Sequence, residues 1–551
     1  MTLEKLDGAL FSKMVLTGAL HLTNNAKKID ALNVFPVPDG DTGTNMNLSL
    51  TSGANEVKKN NSESISDVAN ALAKGLLMGA RGNSGVILSQ IFRGFAKGIQ
   101  DQATITTEGL AQAFDHGVQT AYKAVMKPVE GTILTVAKDS AAEAVKQAKH
   151  EKDIIILMEK VLNEAKASLK RTPSLLPVLK EVGVVDSGGQ GLVTIYEGFL
   201  ASLKGEELPE DIDTIDIDDM IHAEHHKTAQ DFMNTADIEF GYCTEFMVKF
   251  DEEKLKQHPF DEIAFRNQLS EHGDSLLVVS DDEVVKVHIH VEYPGNVLTI
   301  GQNYGSLINM KIENMREQHS AIVGSEHQAP KEKVDFAIVT VAMGSGLKSL
   351  FESLGATIVI EGGQTMNPST QDISDAIKEA NANKVIVLPN NKNIVMAAEQ
   401  AAELAEVDVA VVPTKTIPQG ISALLAFHPE NGLDDNKQQM ELASQHVKTG
   451  QVTYAVRDTK IDGINIEKDH FMGLVDGKIK VTSPTKDQTV KDLLKELITK
   501  DDEILTILYG EDVDEKSVKE LEKYIEETYE DIEIETHSGN QPIYSYIFSV
   551  E

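Results

Sequence analysis

The residues best suited to chemistry lie in four short polar turns early in the sequence and in three side chains further along. The first turn, NVFPVPDGDTGTNMN from Asn33 to Asn47, sets Asp39 and Asp41 two residues apart in a segment broken by proline and glycine. Carboxylates so placed can point at one spot, and Mg²⁺ takes one or two carboxylates together with phosphate oxygens and water. Gly40 and Gly43 free the backbone to bring its amides close to a phosphate. A lone Asp-Gly-Asp is also an ordinary surface turn, so the choice rests on the turns downstream of it.

There are three of these. GLLMGARGNSGVILSQIFRGF sets Gly79, Gly82 and Gly85 around Asn83 and Ser84, ahead of a helical stripe of Ile87, Leu88, Ile91, Phe92 and Phe95. A Gly-rich turn feeding a helix N-terminus offers converging donors to an anion. It lacks the Gly-Lys-Ser/Thr of a Walker A loop, and read alone it is equally a capped helix. EGTILTV places Gly131 and Thr132 before an Ala-rich helix, and DSGGQGL places Asp186, Ser187, Gly188 and Gly189 before another. The elements that must position these turns read as helices. Leu6, Leu10, Met14 and Leu20 recur at helical spacing from Lys5 to about Asn24, and Met46, Leu50, Ala54 and Val57 mark a second helix starting beside the acidic turn. Helices running up and down, with the turn-bearing ends together, would gather the four turns into one mouth; scattered, the turns would be only caps.

The other chemical side chains are Cys243, His288 and His290. FGYCTEFMVKFD alternates like a strand, and DSLLVVSDDEVVKVHIHVEYPG reads as a hairpin with a helical stretch between the two, giving a small α+β domain. Residues two apart in a strand face the same way, so His288 and His290 present their rings together. With Cys243 nearby the set suits Zn²⁺; from spacing alone it is also ordinary packing. Further on, DFAIVTVAMGSG, ATIVIEG, KVIVLPN and VDVAVVP are short apolar runs separated by helical stretches, as expected for parallel strands buried on both faces. Ligand loops of such sheets lie beyond the strand C-termini: here Met343–Gly346, Glu361–Thr370, Leu388–Asn393 and Pro413–Gly420. Alternation between Tyr454 and Val481 indicates more strands, and DDEILTILYGED with PIYSYIFSVE closes the chain as a strand, helix, strand unit.

Composition narrows the function classes. The 551 residues exceed one core, so about three domains are expected. A net charge of −36 argues against nucleic-acid or anionic-membrane partners, since both would repel it. A single cysteine excludes an intrachain disulfide framework and fits a reducing compartment. The absence of any long uncharged apolar run gives the expectation of a soluble, cytoplasmic protein without an integral membrane segment.

PVPDGDTGTNM, GARGNSGVILSQ, EGTILTV and DSGGQGL, in this order, resemble the ATP-binding, DhaL-like domain of dihydroxyacetone kinases over residues 1–205. With FGYCTEF and VKVHIHV further along, the whole order is similar to the ATP-binding subunit of bacterial fatty acid kinase. The resemblance implies an all-α DhaL-like helical barrel (1–205), an acidic linker (206–235), a middle α+β domain (236–328) and a C-terminal α/β domain like the DegV-type fatty-acid carriers (329–551). It implies ATP with two Mg²⁺ held by Asp39 and Asp41. Where the family offers a third acidic ligand this chain has Asn33, with Asp30 next in rank. It further implies Asn83 and Ser84 at the phosphates, Thr44 and Asn45 bordering the nucleotide, and Gly131 and Thr132 on the adenine or ribose side. Asp186 and Gly188 would close the pocket and Arg171 neutralise phosphate charge. A zinc-like site is implied at Cys243, His288 and His290, with no fourth protein ligand evident. The activity implied is transfer of the ATP γ-phosphoryl to a fatty acid carboxylate presented by a separate carrier protein, giving acyl phosphate, in a homodimeric enzyme. A triose kinase of the dihydroxyacetone type and a non-catalytic nucleotide-binding scaffold are the alternatives.

Overall fold

The computed structural model describes residues 2–33, 40–60, 62–125, 127–206, 240–280, 284–314, 333–363, 366–529 and 532–551. The chain forms two compact units, one built from Met1–Asp213 with Lys333–Glu551 and one from Thr214–Glu332. The acidic linker expected at 206–235 lies, apart from Glu206, outside the described residues. Among the described residues no helix is long and apolar enough to cross a membrane.

The first part of the larger unit is helical: α1 (Gly8–Asp30), α2 (Thr42–Lys59), α3 (Ile65–Gly79), α4 (Gly82–Gly98), α5 (Thr107–Ala124), α6 (Ile133–Gln147), α7 (Ile154–Leu175), α8 (Pro177–Val182) and α9 (Ser187–Lys204). A short antiparallel pair, β1 (Leu6–Asp7) and β2 (Thr104–Ile105), ties the start of α1 to the α4–α5 connection. Asp7 caps α1 by accepting from the Leu10 amide at 2.8 Å. The apolar stripe does not stop near Asn24: Ala26 and Ile29 are buried too, and the helix runs on to Asp30. The core is aromatic at its centre, where Phe11 stacks on Phe95 with ring centroids 5.4 Å apart and Phe114, Tyr196 and Phe199 complete the cluster. Beside it α1 and α9 touch backbone to backbone, since a Cβ on Gly198 would lie 2.5 Å from the Cα of Gly18.

Among the described residues the smaller unit is a four-stranded antiparallel sheet with three short helices: β3 (Tyr242–Phe250), α10 (Glu252–Gln257), α11 (Glu262–Ser270), β4 (Gly273–Ser280), β5 (Val284–Val291), α12 (Pro294–Gln302) and β6 (Gly305–Asn314), in the strand order β4-β5-β3-β6. The helical stretch predicted between β3 and the hairpin is two short helices. Pro259 separates them, because it disfavours the α region for His258 and lacks an amide to donate.

The larger unit then resumes with β7 (Val334–Ala342), α13 (Ser345–Ser353), β8 (Ile358–Glu361), α14 (Thr370–Glu379), β9 (Ala382–Leu388), α15 (Val395–Leu404), β10 (Asp408–Val411), α16 (Ile417–Leu425) and α17 (Leu433–His446). The four strands are parallel in the order β10-β9-β7-β8, as the apolar runs predict. After them comes a six-stranded mixed sheet, built from β11 (Lys448–Tyr454), β14 (Phe471–Val475), β15 (Lys478–Ser483), β16 (Ile504–Tyr509), β17 (Glu533–Ser538) and β18 (Tyr546–Val550). The hairpin β12 (Thr459–Ile461) with β13 (Ile464–Ile466), and the helices α18 (Lys486–Leu497) and α19 (Glu515–Thr528), complete it.

The helical part packs on this C-terminal part around the Gly-rich turn between α3 and α4. Ala80 in that turn and Val86 near the start of α4 enter one apolar cluster with Ile373, Ile377, Ala397 and Ala398. The Thr370 amide donates to the Ala80 carbonyl at 3.1 Å, and Arg81 bridges to Ser369 in β fashion.

Candidate functional site

Between the helical part and the C-terminal α/β part lies a cavity of about 540 Å³. Its first wall carries Asn33, Asp41, Thr42 and Asn45 from the acidic turn, Asn83 and Ser84 from the second turn, Thr132 from the third, and Asp186, Ser187 and Gly188 from the fourth. The four turns therefore do meet in one mouth. Its second wall comes from the loops beyond the parallel strands, Met343, Gly362, Gly363, Asn390–Asn393 and Lys415–Ile417, and from the six-stranded sheet and its connections, Leu474, Asp476, Tyr544 and Ile547. The ligand loops of the α/β sheet thus face the helix N-termini across one space.

Local folding explains the first wall. Asp30, at the end of α1, accepts from the Gly43 amide at 2.6 Å, the Thr44 amide at 3.2 Å and the Thr44 hydroxyl at 2.8 Å. It thereby supplies the N-terminal cap of α2. Thr44 is held in that cap and, like Asp30, does not line the cavity. Asn33 lies on the cavity wall, and its side-chain oxygen accepts from the Thr42 hydroxyl at 2.7 Å and the Ser187 hydroxyl at 3.3 Å. It ties the start of α2 to the start of α9. Gly131 stands behind Thr132, its amide donating to the Thr135 hydroxyl at 2.9 Å, and is not itself on the wall. Arg171 is engaged elsewhere: its guanidinium pairs with Asp139 at 2.8 Å and Glu164 at 2.7 Å, half-exposed and off the cavity. Asp39 lies outside the described residues.

The lining is mixed. Ile133, Leu176 and Leu179 contribute apolar surface, and Asp41, Asn45, Asn83 and Ser84 contribute polar surface. Two buried polar atoms on lining residues, the Asn33 amide nitrogen and the Asn83 amide oxygen, find no partner among the described residues. Such atoms are costly unless a ligand or water meets them. Lys392 and Lys415 bring positive charge from the second wall. Asp41 with amides and hydroxyls around it in one polar mouth fits a magnesium–nucleotide group, which needs few protein carboxylates because phosphate and water complete the metal shell. Among the described residues no three His, Cys, Asp or Glu groups cluster as a self-sufficient metal site.

Asp186 caps α9 by accepting from the Gly189 amide at 2.7 Å. Burial pushes its carboxyl up from 3.8 to about 6, against the lowering effect of the Gly189 and Ile133 amides. The folded protein then keeps this proton over a pH range where the unfolded chain has released it. Stability from this group is present at low pH and declines as pH rises from about 4 to about 6. Asp186→Asn keeps an oxygen for the cap and removes the titration. In the ligand-free protein its unfolding midpoint is expected to gain on the wild type across that range, by an amount equivalent to roughly 3 kcal/mol at most. Thermal melts in a pH series check this, and parallel pH dependence in the two proteins would refute it.

In the smaller unit the strand register sets Cys243 directly opposite His290, and Glu245 opposite His288. Cys243, His288 and His290 therefore share one face of the sheet at adjacent positions. His290 is buried, and the side chains of Cys243 and His288 lie outside the described residues.

Sequence reasoning singled out the second-wall loops but not the residues in them that matter here. Asn367 donates from its side chain to Asp41, Asn83 donates to Asn393 at 3.4 Å, and Arg81 donates to the Asn367 carbonyl at 2.8 Å.

Three family models match the chain in succession: the DAK2 domain over residues 36–201, the middle domain of the FakA-like fatty acid kinase family over 239–322, and the C-terminal domain of the same family over 337–551. The chain is 58% identical to Protein YloV of Bacillus subtilis (strain 168) and 53% identical to an uncharacterized protein of Staphylococcus aureus (strain USA300), in each case over the full length of both chains. Among solved structures, it is similar to a DegV family protein from Corynebacterium glutamicum, with 14% identity and a TM-score of 0.31, covering 39% of this chain and 96% of that one.

Proposed function

The chain belongs to the FakA-like fatty acid kinase family, and from that premise we propose that it transfers the γ-phosphoryl of ATP to the carboxylate of a fatty acid held by a separate carrier protein. The observation that carries the reading is the single cavity in which the four polar turns face the ligand loops of the α/β sheet. In this reading the base packs against Ile133, Leu176 and Leu179, and the phosphates lie against Asn45, Asn83 and Ser84 at the helix N-termini. Asp41 and Asp39 would hold Mg²⁺, which when bound would neutralise phosphate charge. Lys392 and Lys415 add positive charge from the opposite wall.

A fatty acid carboxylate is ionised at neutral pH, so no general base is required. Its oxygen forms a bond to the γ-phosphorus while the bond from that phosphorus to the bridging oxygen breaks. The electron pair leaves with ADP, and acyl phosphate is the other product. The task left to the protein is positioning and charge neutralisation, the main sources of rate in phosphoryl transfer. Cys243, His288 and His290 are proposed as a Zn²⁺ site in the middle domain.

The test is ATP consumption and acyl phosphate formation by the purified chain, with and without a fatty-acid-loaded carrier. Turnover is expected to depend on the loaded carrier. Carrier-independent phosphorylation of a triose, or nucleotide binding without turnover in the presence of loaded carrier, would overturn the proposal.

A further inference from the structure

We propose that Asn367, supplied by the C-terminal α/β part, is a positioning residue for Asp41, so that the two halves of the larger unit jointly set the geometry of this carboxylate. The inference rests on the reading of Asp41 as a cation ligand. Asp41 occupies the N-cap position of α2, where an aspartate ordinarily turns its side chain back to accept a helix amide. Here its side chain makes no such bond. Asp30 takes over that task from the end of α1, and the Asp41 carboxylate instead accepts from the Asn367 side-chain amide. The usual competitor for this carboxylate has been removed, and a donor from 326 residues away has replaced it.

The donor is itself firmly held. Asn367 is 3% exposed. Its carbonyl accepts from Arg81 at 2.8 Å, and the same guanidinium lies 3.4 Å from Asp372. Asp372 and Ser369 form a capping box at the start of α14, which fixes the loop that carries Asn367. On the other side Gly82, at φ +57°, keeps the approach open: a Cβ there would stand 2.6 Å from the Asn45 side-chain nitrogen and 3.6 Å from that of Asn367. One carboxylate oxygen bonded to a buried, doubly anchored amide orients the second oxygen before a cation arrives, so less freedom is lost on binding.

The experiment measures binding of a fluorescent, non-hydrolysable ATP analogue to the full chain across a Mg²⁺ titration, alongside metal-free thermal melts. Asn367→Ala is expected to raise the half-saturating Mg²⁺ concentration roughly tenfold, as loss of one charge-assisted hydrogen bond would. Asn367→Asp keeps the shape and packing, removes the donor and adds a like charge, so it should raise that concentration further. A merely structural role would lower the melting midpoint of the alanine variant and leave the Mg²⁺ dependence of the aspartate variant at the wild-type value, which overturns the proposal. Asp41→Ala separates the two layers of argument. If it removes the Mg²⁺ dependence while both Asn367 variants match the wild type, the positioning role alone fails. If Asp41→Ala itself titrates like the wild type, the cation-site reading fails with it.

Discussion

Replacing Asp41 with alanine is expected to lower carrier-dependent acyl phosphate formation by a factor on the order of 10²–10³, the scale of losing one group that stabilises charge at a reacting centre. The fold should survive the change. The Asp41 side chain makes no helix-capping bond, and the α2 N-terminus is satisfied by Asp30. A cooperative unfolding transition, lowered by no more than the about 1–3 kcal/mol that loss of the acceptor for Asn367 costs, together with lost turnover, is therefore the expected pair of measurements. Wild-type turnover in this variant would remove the acidic turn from the mechanism.

The second large effect is expected at a residue with no side chain. A Cβ on Gly43 would lie 2.1 Å from the Ala26 carbonyl oxygen and 2.9 Å from the carbon that bears it, both backbone atoms of α1. Neither can rotate away, so Gly43→Ala must push the start of α2 off the end of α1. The Gly43 amide would then lose Asp30, and Asp41 and Thr42 would shift with it. Overpacking of this kind typically costs about 1–3 kcal/mol, which lowers the midpoint of a domain this size by roughly 2–4 °C for each kcal/mol. Nucleotide affinity should fall at least about tenfold, because misplacing a preorganised site by an ångström is costly. Calorimetric melts and a nucleotide titration check both halves. An unchanged midpoint would show that the contact is not as tight as the backbone geometry requires.

How much of this was legible in the sequence depended on how local the determining contact is. The four polar turns were visible because each needs particular residues at the start of its own helix, and the parallel strands because double burial leaves a continuous apolar run. The length of α1 was visible in principle: Ala26 and Ile29 continue the stripe beyond Asn24, and extending it would have brought Asp30 to the end of the helix. The engagement of Arg171 also left a trace, since Glu164 stands seven residues earlier on the same helical face. By contrast β17 reads EIETHS, alternating but mostly exposed at the sheet edge, and its apolar signal is too thin to separate it from a loop. Nothing local marks Asn367 as the partner of Asp41, or Asn393 as the partner of Asn83. Those pairings exist only once two surfaces have closed, and polar residues in loops carry no periodicity that would announce it.

The larger unit is discontinuous: the chain leaves it after Asp213 and returns at Lys333. Arg81 and the carbonyl it holds are 286 residues apart. At a synthesis rate of about 5–20 residues per second the ribosome needs roughly 15–60 s to cover that distance, far longer than helices take to form. During that interval the helical part exists with one wall of its cavity unmade, and with Ala80 and Val86 lacking their later neighbours. A polypeptide halted before Tyr544 and Ile547 are added would lack part of that second wall as well. Competence for chemistry is in this sense a checkpoint on complete translation, since the site closes only when segments made early and late find each other.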